Sequence, residues 1–281
     1  YSMAGRQQAE FTQKNNIIGS MNLLFGVKKY CPKTHIIKLG TMGSYGTPNI
    51  EIEEGFIKIR HKGRNDKVQY PFKPHSFYHC SKAADSINLY FACRSWSLRA
   101  TDLNQGVVYG IDTPETLISK SFNTSFHYDH IFGTVINRFL VQAAINKPLT
   151  IYGKGTQIRT FLNINDTLQC IELAIKNPAK ISEYKVRNQF TEIFSINHIA
   201  NLICKSAKKI GLKTKIQHLK NPRMEQPKHY YKPSNKSFLK VGLKKRKFNE
   251  EFIINHLKKI VKLKKFVDKK IIDPTITWKY K

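Results

Sequence analysis

The sequence predicts an α/β fold with a parallel sheet, and three observations lead to it. Helical and strand patterns alternate along the first 110 residues, which is the order expected for such sheets. The apolar run HIIKL at 35–39 ends at Gly-Thr, which is typical of a buried strand. The 281 residues, 41% of them hydrophobic, are enough to bury a substantial core.

The elements before residue 110 follow from periodicity and from turn residues. We expect a helix at 10–29, because its apolar side chains recur at helical spacing; one face carries Ile17, Met21, Leu24 and Phe25. Residues 43–75 are rich in Gly and Pro and predict a long loop. A helix follows at 76–94, and a strand at 98–108 runs into a glycine turn.

After residue 110 the pattern changes to smaller, mixed elements. The predicted elements are a helix at 131–146, a hairpin at 149–161 around Gly-Lys-Gly, a helix capped by Asn165 or Asp166 that ends before Pro178, a strand at 184–188, a helix capped by Ser195, a strand at 215–218 and a basic amphipathic helix at 249–265. The change near residue 147 suggests two parts, 1–147 and 148–281.

The chain is strongly basic, with 48 Lys and Arg against 19 Asp and Glu and a net charge of +29. Such an excess is typical of proteins that bind nucleic acid or anionic membranes. However, 38 of the basic residues are Lys, whereas base recognition relies on Arg. Abundant Lys, Ile and Asn also indicate AT-rich codon usage. We therefore expect no nucleic-acid partner, although residues 201–281 alone carry +19.

Several other classes of site are not indicated. No window approaches 18 uncharged apolar residues, so we predict no membrane span. The five cysteines form no CxxC motif and indicate neither a disulfide framework nor a zinc cluster, which favours a reducing compartment. His75 and His79 lie four residues apart without an evident third ligand, so we predict no metal.

Tyr78 and Lys82 are the first candidates for chemistry. At four-residue spacing on a helix they share one face. An ammonium near a phenol favours the phenolate, and we expect Lys82 to lower the pKa of Tyr78 so that it can act as a general base. The pair alone is weak, because composition predicts about 1.8 such spacings by chance. Thr41, just past an apolar strand, supplies a hydroxyl where parallel sheets bind ligands.

Longer segments give these residues a context. The segments KLGTMGSYGTPNIEIEEG (38–55), SFYHCSK (76–82), RATDLNQGVVYG (99–110), YDHIFGTVINRFLVQAA (128–144) and NQFTEIFSIN (188–197) resemble the extended short-chain dehydrogenase/reductase family, which modifies nucleotide sugars. The resemblance implies a Rossmann-type doubly wound parallel sheet with a smaller C-terminal mixed α/β substrate domain. It also implies NAD as cofactor, catalytic residues within 1–147, nucleotide-sugar binding within 148–281, and a homodimer.

The resemblance also implies residue roles. Thr41, Tyr78 and Lys82 would serve both catalysis and cofactor binding, and His79 could shuttle a proton. Gln105 and Val108 match positions near the nicotinamide and the sugar. The residues expected to bind the nucleotide sugar, besides Gln105, are Asn137, Tyr152, Arg159, Arg223 and Glu225, with the two arginines on the diphosphate. These residues also have simpler structural interpretations. Tyr152 could be a packed aromatic residue, and Asn137 and His79 could be structural polar residues of their helices.

Within the family, the segments are most similar to the branch that joins UDP-glucose and sulfite through a 4-keto intermediate, for sulfolipid synthesis. That branch implies a plastid or a cyanobacterial-type cytoplasm. Two departures stand out. No GxxGxxG occurs, so we expect the chain to lack the part that seats the NAD pyrophosphate. Ser44 stands where we expect a Glu, and its hydroxyl is a poor base for dehydration.

Other interpretations remain open from the sequence. The same fold could host a UDP-sugar 4-epimerase or 4,6-dehydratase. A non-enzymatic alternative is a basic nucleic-acid-binding or scaffold protein on a degenerate dehydrogenase fold. The last alternative is a fragment that cannot fold, because missing strands would leave an open sheet edge.

Overall fold

The computed structural model describes residues 6–123, 125–129, 132–221 and 230–273. Its helices are α1 (Arg6–Tyr30), α2 (Phe77–Trp96), α3 (Pro114–Ile118), α4 (Val135–Ala144), α5 (Ile164–Lys176), α6 (Ile196–Lys209), α7 (Lys236–Lys240) and α8 (Glu250–Lys262). Its strands are β1 (His35–Thr41), β2 (Phe56–His61), β3 (Arg64–Gln69), β4 (Arg99–Gln105), β5 (Val107–Tyr109), β6 (Leu149–Tyr152), β7 (Ile158–Asn163), β8 (Tyr184–Gln189), β9 (Glu192–Ser195) and β10 (Ile216–Leu219).

A three-stranded parallel sheet organises the first part of the chain, in the order β1-β4-β8. Its two faces are covered by different helices. Ile36 and Ala100 point toward the cluster formed with α1 and α2, whereas Ile37 and Leu103 belong to the cluster formed with α5 and α7. Helices on both faces make the sheet doubly wound, as predicted. Within the described residues, β1 forms one edge, and Leu39 on it is 44% exposed.

Helix α2 carries the predicted chemistry, and its start is set by a cap. The Ser76 side chain accepts a hydrogen bond from the backbone N–H of His79. This bond satisfies one of the amides that a helix start leaves unpaired. The helix ends at Ser97, whose positive φ of 53° turns the chain toward β4.

The second part is built around a separate core. Helices α4, α6 and α8 contribute most of its buried apolar side chains, including Phe139, Ile203 and Leu257. Two small sheets complete it, with the strand orders β5-β7-β9 and β10-β6. The elements do not divide at residue 147 as predicted. β8 follows this residue but lies in the first sheet, and β5 precedes it but lies in a sheet of the second part. The two-domain division stays a prediction.

The predicted hairpin at 149–161 is wrong. β6 and β7 do not pair with each other; β6 pairs with β10 in parallel, and β7 lies between β5 and β9. Gly153 and Gly155 do adopt positive φ in the connection. They turn the chain from one sheet to another, because β6 pairs with residues 216–219, far along the sequence.

Three further expectations need correction. The loop at 43–75 contains the antiparallel hairpin β2–β3. The cap of α5 is Asn163, whose side chain accepts from the N–H of Asn165. Phe25, expected on the apolar face of the first helix, is 47% exposed, because tertiary packing buries a narrower stripe of the helix than its periodicity indicates.

No helix of the described residues is long and apolar enough to cross a membrane.

Candidate active site

The carboxyl ends of the three parallel strands form a row of polar side chains. The strand register places Thr41 beside Gln105, and Gln105 beside Gln189. The amide of Gln105 donates to the side-chain oxygen of Gln189 at 3.1 Å. Parallel α/β sheets bind ligands at this end, so the row marks the candidate site. The sequence had pointed to Thr41 and Gln105; only the register of β8 adds Gln189.

The first turn of α2 packs onto the turn that follows Thr41. Thr41 caps this turn, with its hydroxyl accepting from the N–H of Gly43 at 3.1 Å. A Cβ on Gly43 would overlap the imidazole ring of His79, so the ring lies directly on the glycine. His79 Nδ1 also hydrogen-bonds with the Ser76 hydroxyl at 3.0 Å. Gly43 therefore lets the start of α2, including Tyr78, approach the strand ends.

The predicted effect of Lys82 on Tyr78 is not found. Burial raises the pKa of Tyr78, and the negative charge of Asp85 raises it further. Lys82 is half-buried, and burial lowers the pKa of its ammonium, with Lys38 adding to the effect and Asp85 opposing it. The expectation failed because it counted one neighbour at helical spacing and omitted desolvation, which dominates for a buried phenol.

A buried ion pair lies beneath α2, and the sequence-based interpretation missed it. Lys38 Nζ donates to Asp102 at 2.9 Å, to the hydroxyl of Ser86 at 2.6 Å and to the backbone carbonyl of Lys82 at 3.1 Å. Asp102 also accepts from Tyr184 at 2.7 Å. This network ties α2 to three strands directly below Lys82. Lys38 inside the apolar run HIIKL was the available signal.

Ser44, the residue expected to replace a Glu, ends the short turn Met42–Ser44 that Thr41 caps. Its side chain is 1% exposed, and among the described residues its hydroxyl has no hydrogen-bond partner. A buried hydroxyl without a partner carries a desolvation penalty, which a bound group could relieve.

The residues predicted to bind substrate divide into two groups. Val108 lies on β5, just beyond Gln105, and β7 approaches closely, since a Cβ on Gly106 would sit 2.9 Å from the carbonyl oxygen of Thr160. Arg159 precedes Thr160 on β7, so this strand adjoins the row of strand ends. The guanidinium of Arg159 donates a hydrogen bond to the backbone carbonyl of Ile158 at 2.7 Å.

Asn137 and Tyr152 have contacts that are typical of structural residues. The side-chain oxygen of Asn137 accepts from the N–H of Gly110 at 3.1 Å. Tyr152 stacks under the guanidinium of Arg138, 5.4 Å from the ring centroid. Arg223 and Glu225 lie outside the described residues, so their roles stay predictions.

The described residues fit the nicotinamide end of a dinucleotide. Lys82 forms no salt bridge within the described part of the chain, so its ammonium can donate hydrogen bonds to ribose hydroxyls. Thr41 and Gln105 present polar groups at the strand ends. No group of three or more His, Cys, Asp or Glu within these residues could hold a metal, and the five cysteines are free.

Comparison with known proteins identifies the family. A model of the "NAD dependent epimerase/dehydratase family" matches residues 3–188. The chain belongs to this family. Among curated members, it is 50% identical to the chloroplastic UDP-sulfoquinovose synthase of Spinacia oleracea over 279 residues, covering 99% of this chain and 58% of the spinach protein. It is 36% identical to the UDP-sulfoquinovose synthase of Sulfolobus acidocaldarius, covering 99% of this chain and 72% of that protein.

Solved structures support the fold assignment within the family. UDP-glucose 4-epimerase of Thermotoga maritima superposes with a TM-score of 0.67 at 18% identity, covering 95% of this chain and 76% of the epimerase. The dTDP-glucose 4,6-dehydratase DesIV of Streptomyces venezuelae gives 0.67 at 13% identity, covering 92% of this chain and 70% of that enzyme. At such identities the likeness establishes the fold alone.

Proposed function

We propose that the chain carries the catalytic residues of a UDP-sulfoquinovose synthase, which joins UDP-glucose and sulfite with NAD as bound cofactor. The observation that carries the proposal is the 50% identity to the spinach synthase across 99% of this chain. Because the chain spans 58% of that relative's length, activity, substrates and partners are part of the proposal. The proposal is also supported by the position of Thr41, Gln105 and the start of α2 at the carboxyl ends of the parallel strands.

The reaction begins with oxidation at C4 of the glucose. The phenolate oxygen of Tyr78 accepts the proton of the C4 hydroxyl, and the Thr41 hydroxyl holds the C4 oxygen by hydrogen bonding. When bound, NAD supplies the acceptor for the C4 hydride and carries a positive charge in its oxidised form. Because burial raises the pKa of Tyr78, we infer that the phenolate depends on that positive charge, whereas Lys82 would hold the nicotinamide ribose.

The 4-keto group then makes C5–H acidic. Loss of that proton and of the C6 hydroxyl as water leaves an alkene between C5 and C6. The sulfur lone pair of sulfite forms a bond to C6, and C5 takes up a proton. Return of the hydride to C4, with the proton from Tyr78, completes UDP-6-sulfoquinovose. We assign the proton transfers at C5 and C6 to His79, since Ser44 offers only a hydroxyl.

A UDP-sugar 4-epimerase is the second candidate, and Ser44 is the observation that favours it. Epimerisation needs the C4 oxidation but no group that removes the C5 proton. The hydroxyl of Ser44, 1% exposed, cannot supply a base at neutral pH.

The deciding experiment incubates the protein with UDP-[6-13C]glucose and NAD, with and without sulfite, and follows C6 by NMR. The synthase proposal predicts a sulfite-dependent resonance of a sulfonated CH2. UDP-galactose formed equally with and without sulfite would assign the epimerase instead. UDP-glucose binding without either product would overturn both enzymatic proposals.

Assembly and location are further parts of the proposal. The homodimer that the family resemblance implies is supported by large apolar side chains exposed on α1 and α2: Phe11, Ile18, Phe25, Ile87 and Phe91. A plastid location is supported by the chloroplastic spinach relative. We expect sulfite as the second substrate, either free or delivered by another protein.

A further inference from the structure

The basic segment, defined as residues 258–270, is a strongly positive stretch of the described surface. Its sequence KKIVKLKKFVDKK contains seven lysines and one aspartate. It covers the last turn of α8 and the short 3-10 turn Lys264–Phe266. One lysine, Lys259, is neutralised by an ion pair with Asp112. The segment therefore keeps a large net positive charge at its surface.

Two apolar side chains of this segment point outward among the lysines. Phe266 is 73% exposed and Leu263 is 46% exposed. The same helix anchors itself through Leu257 and Ile260, which are 0% and 4% exposed. The outward Phe and Leu are thus not needed for the core that fixes α8. Lys265 holds its ammonium 5.0 Å from the Phe266 ring, so charge and apolar surface lie side by side.

The adjoining loops extend the positive surface. The N–H of Lys213 donates to Asn146, and the Thr214 hydroxyl donates to the carbonyl of Lys147. Lys147 in turn pairs with Asp273 at 2.5 Å. These contacts link the exposed lysines at 213 and 215 to Asp273, three residues past the basic segment. Of the nearby acidic groups, Asp112 and Asp273 are already paired, and Asp268 remains at the surface.

We propose that the basic segment binds the surface of an anionic lipid bilayer, with Phe266 and Leu263 inserted at the headgroup level. Lysines attract anionic headgroups over a Debye length, and exposed Phe and Leu beside them gain free energy on leaving water. Nucleic acid fits less well, because the segment contains no Arg for bidentate contacts and an exposed Leu contributes nothing to phosphate binding. The proposal is independent of the enzymatic activity.

The test is co-sedimentation of the full chain with two kinds of vesicle. One is phosphatidylcholine alone; the other adds roughly 30 mol% phosphatidylglycerol, for a surface potential on the order of −30 mV. Three variants are compared with the unmodified protein. K262E/K264E/K265E reverses the charge, L263S/F266S removes the apolar pair, and K58E/K62E/K67E makes the same charge change on the exposed β2–β3 hairpin.

We expect binding only to the anionic vesicles. The charge reversal should weaken partitioning by at least about 100-fold, since each surface lysine contributes roughly fivefold. The L263S/F266S variant should weaken it by about 10-fold at unchanged net charge. The hairpin variant should bind much more tightly than the charge-reversed segment.

Three results would overturn the proposal. One is equal binding to neutral and anionic vesicles. Another is an L263S/F266S variant that keeps full vesicle binding while the charge reversal abolishes binding to vesicles and duplex DNA alike, which would show a polyanion site without bilayer insertion. The third is equal weakening by the hairpin variant, which would assign binding to net charge alone.

Discussion

Gly40 and Gly43 bring the backbone of the candidate site close to its neighbours. A Cβ on Gly40 would overlap the side-chain oxygens of Asp102 and Asn104 and lie 3.3 Å from the carbonyl oxygen of Leu103. Asp102 cannot move away freely, because its other oxygen is held by Lys38 and Tyr184. These glycines matter for space, since neither has a positive φ.

The Gly40→Ala variant should therefore be destabilised by about 1–3 kcal/mol, as overpacked buried sites are. The matched control is Gly19→Ala in the middle of α1, where a Cβ meets nothing within 4 Å. That change should stabilise the protein by about 0.5–1 kcal/mol, because alanine is the better helix former. Urea unfolding checks both, and a stable Gly40→Ala protein would contradict the close packing of β1 on β4.

The Tyr78→Phe variant should lose at least about 100-fold in turnover of UDP-glucose, because it removes the proposed base. UDP-glucose affinity should stay within a few-fold. Tyr90→Phe is the control on the same helix, where the ring packs against Phe56 and Tyr184 instead of the strand ends. Equal turnover of Tyr78→Phe and the unmodified enzyme would remove Tyr78 from the mechanism.

Asp85 gives a prediction about pH. Burial raises the pKa of this carboxyl above 3.8, although the charges of Lys38 and Lys82 and a hydrogen bond from Ser20 oppose the shift. A carboxyl with a raised pKa in the fold contributes stability below its unfolded pKa and loses that contribution as pH rises through the folded pKa.

The Asp85→Asn variant should therefore be more stable than the unmodified protein at pH 7.5, and the gain should shrink toward pH 4. Urea midpoints across this range measure it, with Asp66→Asn on the exposed β2–β3 hairpin as the control. A gain that does not change with pH would show that packing, not charge, causes the difference.

At the scale of elements, the docking of α2 depends on an ion pair that crosses from sheet to helix. The Lys38 side chain is 11% exposed and that of Asp102 is fully buried. Three acceptors surround the ammonium, one of them the carbonyl of Lys82 on α2. The pair sets where Lys82 lies relative to β1 and β4.

The Lys38→Met variant should lose about 3–5 kcal/mol of stability, because it leaves the Asp102 carboxylate buried without its counter-ion. Lys58→Met on the exposed hairpin should change stability by less than about 0.5 kcal/mol. Thermal and urea unfolding compare the two. Equal stabilities would mean that Tyr184 and Ser86 alone satisfy Asp102.

At the scale of the whole molecule, α1 and α2 leave several large apolar side chains exposed to solvent. The two helices run parallel, since Asn16 contacts Ser81 and Phe25 contacts Trp96 further along. Phe91, 61% exposed, and Ile18, 55% exposed, lie on their outer surface. A second copy of the chain would cover them in the proposed homodimer.

The Phe91→Glu variant should shift the protein from dimer to monomer at micromolar concentration, because it places a charge in an apolar interface. Ile59→Glu changes a residue of similar character on the β2–β3 hairpin, 40% exposed, and should leave the dimer intact. Sedimentation velocity measures both. A dimer that survives Phe91→Glu would place the interface elsewhere.

Local signals in the sequence determined most of the elements and much of the candidate site. The helix that carries Tyr78 and Lys82 and the strand at 35–39 both occur as predicted, because periodicity acts between near neighbours; β1 continues two residues further, to Thr41. The family could be recognised from the sequence as well, because its motifs are contiguous segments. The roles of the site residues remain predictions that the experiments above address.

Tertiary structure alone decided which strands pair and which groups are desolvated. The partner of β6 is β10, some sixty residues away, and no local pattern in 149–161 distinguishes that pairing from a hairpin. Gln189 and the pair of Lys38 with Asp102 likewise depend on strand register. The sign of the Tyr78 pKa shift depends on burial, which is a sum over the whole surrounding structure and cannot be obtained from a spacing of four residues.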